Sequence, residues 1–233
     1  MNKTVKILIE VLLGLAIAGI AWLFIASIQK PVKFNEEVKA REKVAIQRLK
    51  DIRTLQEAFK SVNGRFSPTV DSLKLFYDQG KMDIVMQIGS NDDSLAVVNT
   101  EKIKKANKRL KGDQLTAKLA EAYANGQKVV FSTVTKIPVK DTLFTHRPDF
   151  VVDSLKYIPF SEGQEVELES TIKRVSGVQV PLFEARMPYK ALLKGMDNQL
   201  RINLDADCRD RNRYEGLQVG SITAPNNNAG NWE

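Results

Sequence analysis

The sequence predicts an α+β fold in which an N-terminal transmembrane helix continues into a long amphipathic helix packed on an antiparallel, strand-rich C-terminal domain. Three observations carry this reading. Residues Ile7 to Ile28 form an almost unbroken apolar run of 22 residues, close to the roughly 20 that an α-helix needs to cross the hydrocarbon core of a bilayer. The apolar positions then fall into three- and four-residue steps as far as Val62, the signature of an amphipathic helix. Beyond residue 128 the pattern shifts to short runs with period-two alternation bounded by turn residues.

The apolar run is uniform around the helix, and such a helix satisfies its own backbone hydrogen bonds in lipid. Trp22 and Phe24 lie near one end, where aromatic side chains favour the membrane boundary. Glu10 is the exception inside the run. A carboxylate there must sit near the headgroups, be protonated or be paired. Lys6, four residues earlier, and a cation on a neighbouring subunit are the two candidate partners. The run exceeds the 7–15-residue core of a cleaved signal peptide and contains an acid, which favours an uncleaved anchor at residues 1–28.

Pro31 is a candidate kink. From Asn35, the stripe Val38, Ala45, Leu49, Ile52, Leu55, Phe59 and Val62 predicts a helix over residues 29–64 that ends at Asn63-Gly64, a good left-handed stop. A coiled-coil stalk is disfavoured because Arg41 and Arg48 fall at would-be core positions.

Ile9-Glu10-Val11-Leu12, with Gly19 nine residues after Glu10, resembles the start of type IV pilins and type II secretion pseudopilins. Asn63-Gly64-Arg65-Phe66-Ser67-Pro68-Thr69 resembles that family's turn after the long first helix. The resemblance covers about the first third of the chain. It implies a pilin-like fold, a non-enzymatic subunit and assembly through Glu10 and Gly19. It also implies a bacterial inner-membrane protein with its C-terminal domain extracytoplasmic, although the cations from Lys30 to Lys50 taken alone would hold that domain inside. The position of the family's peptidase-site glycine is Val5, followed by Lys6 rather than an aromatic, so the match does not extend to the cleavage site. A membrane-anchored adaptor that forms no filament is the alternative.

Residues 65–127 read as a mixed α/β segment. Strands are expected at Met82–Ile88 and Ser94–Val98, a helix from Thr100 to Leu110, and a second helix capped by Asp113 and ended by Asn125-Gly126. Residues 128–222 read as an antiparallel β-rich region, with strands at Lys128–Thr135, Phe150–Ile158, Gln164–Val175 and Val178–Phe183 and short elements at Tyr189–Leu193 and Leu200–Leu204. Residues 223–233, rich in Asn, Gly and Pro, read as a flexible tail.

The net charge of +7 is spread along the chain, and no recognition motif accompanies it, so nucleic acid is not an expected partner. The membrane and other protein subunits, including copies of the chain itself, are. Six basic residues crowd Lys102–Lys111 and read as a solvated face. One histidine, His146, one cysteine, Cys208, and the absence of a hydrolase or phosphate-loop motif argue against an enzyme. Asp205, Asp207 and Asp210 form the best acidic cluster. Calcium is the ligand their hard oxygens would suit and one that the pseudopilin resemblance implies, while Arg209, Arg211 and Arg213 offer simpler ion pairing. No other cofactor is expected.

Overall fold

The computed structural model describes residues 3–233; the side chains of residues 3–10 and 26 lie outside the described residues, and with them the carboxylate of Glu10. The first element, α1 (Lys3–Asn63), is a single helix of 61 residues. It runs through Pro31, which has no N–H to donate to the Ser27 carbonyl, so the expected interruption reduces to one missing hydrogen bond. There follow α2 (Val70–Gln79), β1 (Lys81–Ile88), α3 (Ser94–Ala106), α4 (Asp113–Ala124), β2 (Phe131–Pro138), β3 (Glu167–Val175), β4 (Val178–Pro188), the short α5 (Tyr189–Leu192), α6 (Asn198–Asp210) and β5 (Gly216–Gly220). The fold is α+β, with a long N-terminal helix and antiparallel sheets.

The chain forms two compact units, residues 1–73 with 151–233, and residues 74–150. In the first, the sheet order is β3-β4-β5, antiparallel throughout. Phe183, Ala185 and Met187 of β4 and Leu217 and Val219 of β5 are buried on one sheet face. The second half of α1 packs on this sheet through Val38, Ala45, Leu49, Ile52 and Leu55, all buried. Each fully buried leucine or isoleucine there contributes about 1.5–3 kcal/mol. The predicted stripe differs at its end: Val62 is 47% exposed, because the chain turns away at Asn63, and Ala58 closes the stripe instead. Phe59 is half-buried.

In the second unit, β1 and β2 pair from Lys81↔Pro138 to Ile88↔Phe131, with α3 and α4 in the connection. The division expected at residue 127/128 therefore falls between two paired strands. A small core of Leu119, Val129 and Phe131 holds Ile88, Ile103 and Leu115. Phe144 and Phe150 stack with centroids 3.9 Å apart, and Tyr77 meets Phe150 edge-on.

Two predicted strands are not strands. Ser94–Val98 opens α3, because the Asp93 carboxylate accepts from the amides of Leu95 and Ala96 and caps a helix six residues before Thr100. Phe150–Ile158 contains a 3-10 turn at Val152–Lys156, and of this run Tyr157 makes an isolated bridge to Glu165. Apolar runs this short carry little periodicity, so local capping and turn bonds decide their conformation. The two short elements after β4 are helical. The C-terminal segment is pinned to β5: Gly220 N–H donates to Ala229 O at 3.0 Å and Asn231 N–H to Gln218 O at 3.0 Å.

Candidate membrane anchor and its docking site

Over residues 11–28, and among the described residues, α1 is an apolar rod with no protein packed around it. Leu12, Leu15, Ile17, Trp22, Leu23, Phe24 and Ile28 are more than half exposed. The segment is long and apolar enough to cross a membrane, and none of its apolar window is buried in the protein. Exposing so continuous an apolar surface to water is unfavourable at about 25 cal/mol per Å², and patches of this size mark a contact surface. Gly19 lies on the rod with no other atom within 4 Å of where a Cβ would sit, leaving its face open to another helix.

The helix passes from exposed to packed around residue 34. Phe34 and Val38 are the first buried side chains among the described residues. Polar side chains on the flanks of the stripe lock the packed half in place. Lys30 pairs with Asp197 at 2.7 Å, and this hydrogen bond, together with the Leu200 amide, holds the Asp197 carboxyl below the usual range. Arg41 donates to the carbonyls of Leu192 at 3.2 Å and Lys194 at 2.9 Å, pairs with Glu37 and lies over the Phe160 ring. Glu42 accepts from the Tyr189 hydroxyl at 2.6 Å. Burial first, then this carboxylate, pushes the Tyr189 hydroxyl well above its ordinary pKa. Arg48 donates to the Tyr157 carbonyl, and burial lowers its pKa. Arg53 donates to Asn228 O at 3.2 Å and pairs with Glu233 at 2.7 Å.

The family-like turn is built onto the same helix. Gly64, at φ +71°, donates to Lys60 O, and the Asn63 amide donates to Phe59 O. Phe66 is buried, its ring 4.7 Å from that of Phe183, with the Lys60 ammonium over the ring at 5.0 Å from its centroid. The fully buried Gln56 amide donates to Ser67 O at 2.9 Å and accepts from Ser67 N–H at 2.8 Å, which closes the turn onto the helix as a backbone pair would. Arg65 lines an open groove beside β3.

Arg41 and Arg48 are docking residues that the apolar pattern missed; the signal for them is their place at would-be core positions of the helix. Gln56 carries no such signal.

The acidic trio does not converge. Asp205, Asp207 and Asp210 lie on α6, where residues two apart point about 200° from each other. Asp205 pairs with Arg201 and Asp207 with Arg211. Among the described residues no group of three or more His, Cys, Asp or Glu could hold a metal ion. The calcium reading is therefore corrected: a helix in place of a loop turns Asp205 away from Asp207 and Asp210, so the three carboxylates do not meet. Burial raises the pKa of Asp205, and its Oδ1 lacks a hydrogen-bond partner among the described residues. Burial likewise raises that of the nearby Cys208 thiol. In the second unit His146 is exposed. A groove of about 480 Å³ there is bounded by Thr100, Glu101, Lys104, Leu115 and Phe131, with Lys104 and Glu101 paired to each other at 3.2 Å.

Comparison with protein-family models, with curated proteins and with solved structures finds no match to this chain.

Proposed function

We propose that the chain is a single-pass, membrane-anchored, non-enzymatic subunit of the pilin or pseudopilin type, acting through helix-mediated assembly in a secretion or envelope complex. One observation carries the reading: a single uninterrupted helix is exposed and apolar in its first half and packed on an antiparallel sheet in its second. Such a helix joins a lipid-facing rod rigidly to a folded domain, so force or position at one is transmitted to the other. The Asn63–Phe66 turn supports it, being bonded back to the helix it ends. In this reading the anchor sits in a bacterial inner membrane with the domain extracytoplasmic. Glu10 and Gly19 form the assembly face, and the partners are the membrane and other protein subunits, including further copies, rather than nucleic acid.

A second reading, a membrane-anchored adaptor that forms no filament, is favoured by Val5 and Lys6 at the position where the family is cleaved. Crosslinking separates the two. A Leu13→Cys substitution in a Cys208→Ser background places one thiol beside Glu10. A ladder of self-adducts supports the subunit reading, while a single adduct to a different protein supports the adaptor and overturns the first.

A further inference from the structure

The three-stranded sheet has two edges, and they are treated differently. The β5 edge is covered by the C-terminal segment through Gly220–Ala229 and Gln218–Asn231 hydrogen bonds. The β3 edge, nine residues long, has β4 as its one strand neighbour among the described residues. An uncovered edge is a template for another strand unless charge opposes pairing.

The charge on β3 does not oppose every partner. At one end Glu167, Glu169 and Glu184 all surround the single guanidinium of Arg186, which leaves an excess of negative charge. At the other end Lys173 and Arg174 donate to the carbonyls of Thr223 and Gly177 and, among the described residues, meet no carboxylate. A strand negative at one end and positive at the other repels a parallel copy of itself and attracts an antiparallel one.

The register follows from the hairpin. Ser176 and Gly177 both have positive φ and link Val175 to Val178, a turn whose first carbonyl accepts from the fourth amide. Val175 therefore directs its backbone polar groups at β4, as do Lys173, Thr171 and Glu169 by alternation, while Arg174, Ile172 and Ser170 direct theirs at the free edge. A two-fold axis at Thr171 then gives hydrogen-bonded pairs between Ser170 and the partner's Ile172. It sets Glu169 against the partner's Lys173 twice, as close non-hydrogen-bonded pairs.

The side chains agree with this register. Ile172 is 54% exposed on the sheet face that carries Phe183. On that same face an open groove of about 370 Å³ lies between Arg65, Phe66 and Pro68 and the edge residues Ser170–Ile172. Pairing opposite Ser170 places the partner's Ile172 at this groove. We propose that β3 is a homotypic interface, at which two copies of the chain pair antiparallel about Thr171, with Ile172 of each seated in the groove of the other. The contact is separate from any made by the apolar half of α1.

The test uses the full chain in detergent or nanodiscs, in a Cys208→Ser background. Thr171→Cys sits on the axis, where paired Cα atoms lie about 4.5 Å apart, within disulfide reach. Mild oxidation is expected to give a covalent dimer, while Val178→Cys, on β4 and roughly 30 Å from its counterpart at about 3.4 Å per residue along the strands and about 4.8 Å per strand across them, gives none. Glu169→Lys or Lys173→Glu alone should lower the Thr171→Cys dimer yield about tenfold, since each sets like charges opposite twice; the double exchange should restore it. Absence of the Thr171→Cys dimer, or failure of the double exchange to restore it, overturns the proposal. Neither result depends on whether α1 mediates assembly.

Discussion

The Tyr189 hydroxyl donates a 2.6 Å hydrogen bond to the Glu42 carboxylate, tying α1 to the short helix that follows the central strand. A hydrogen bond to a charged acceptor contributes about 1.5–3 kcal/mol, so Tyr189→Phe should destabilise the first unit by about that much in thermal or denaturant unfolding. The same bond predicts an alkaline signature. The folded-state pKa of Tyr189 is raised by burial and by Glu42. Its contribution is therefore complete below the ordinary tyrosine value near 10 and is lost as pH rises above it. Spectrophotometric titration should show a late tyrosine step that Tyr189→Phe removes. Tyr214, pushed up to about 12 by burial and then Glu167, remains as an internal reference.

Gln56 makes two bonds to one buried backbone position. Gln56→Leu matches it in size but strands the Ser67 amide and carbonyl, at about 1–3 kcal/mol for each group left unsatisfied. A total loss of about 2–4 kcal/mol in equilibrium unfolding is expected, well above that of an exposed-site change. A loss below about 1 kcal/mol would mean that water takes over both bonds.

Leu55 and Val62 both belong to the stripe read from periodicity, yet Leu55 is fully buried and Val62 is 47% exposed. Leu55→Ala should cost about 2–5 kcal/mol, whereas Val62→Ser should stay within about 0.5 kcal/mol. Equal costs would contradict the position of the helix end.

This contrast shows what the sequence makes legible. The long helix is legible because its apolar run and its stripe persist over many turns, and periodicity accumulates with length. Val62 is not, since periodicity ignores where the chain leaves the domain. Ser94–Val98 reads as a strand because it carries four apolar residues in five, and the deciding group, the Asp93 carboxylate, lies outside the run. The three aspartates of α6 look like a cluster when written in a line, but the helix turns Asp205 away from the other two. Arg41, Arg48 and Gln56 escape apolar patterning because they dock by bonding to backbone, Arg41 and Arg48 to carbonyls far away in sequence and Gln56 to Ser67 in the turn that follows the helix.

Glu10 is expected to act between helices. Glu10→Gln should leave membrane insertion intact, since a neutral amide is less costly in lipid than a carboxylate, while lateral association measured by crosslinking at position 13 falls. Lys6→Gln decides the partner. If Lys6→Gln alone is silent and association stays low in both Glu10→Gln and the double variant, the partner is intermolecular. If the double variant associates like the unmodified chain, the pair is within one helix and the assembly role is wrong.

The central claim, that the exposed apolar half of α1 is an integral membrane anchor for the domain packed on its second half, is tested most directly by alkaline carbonate extraction of membranes containing the full chain and a variant with residues 7–28 deleted. The full chain is predicted to remain in the membrane pellet and the deletion variant to move entirely to the supernatant. Release of the full chain into the supernatant, or retention of the deletion variant in the pellet, would contradict the account.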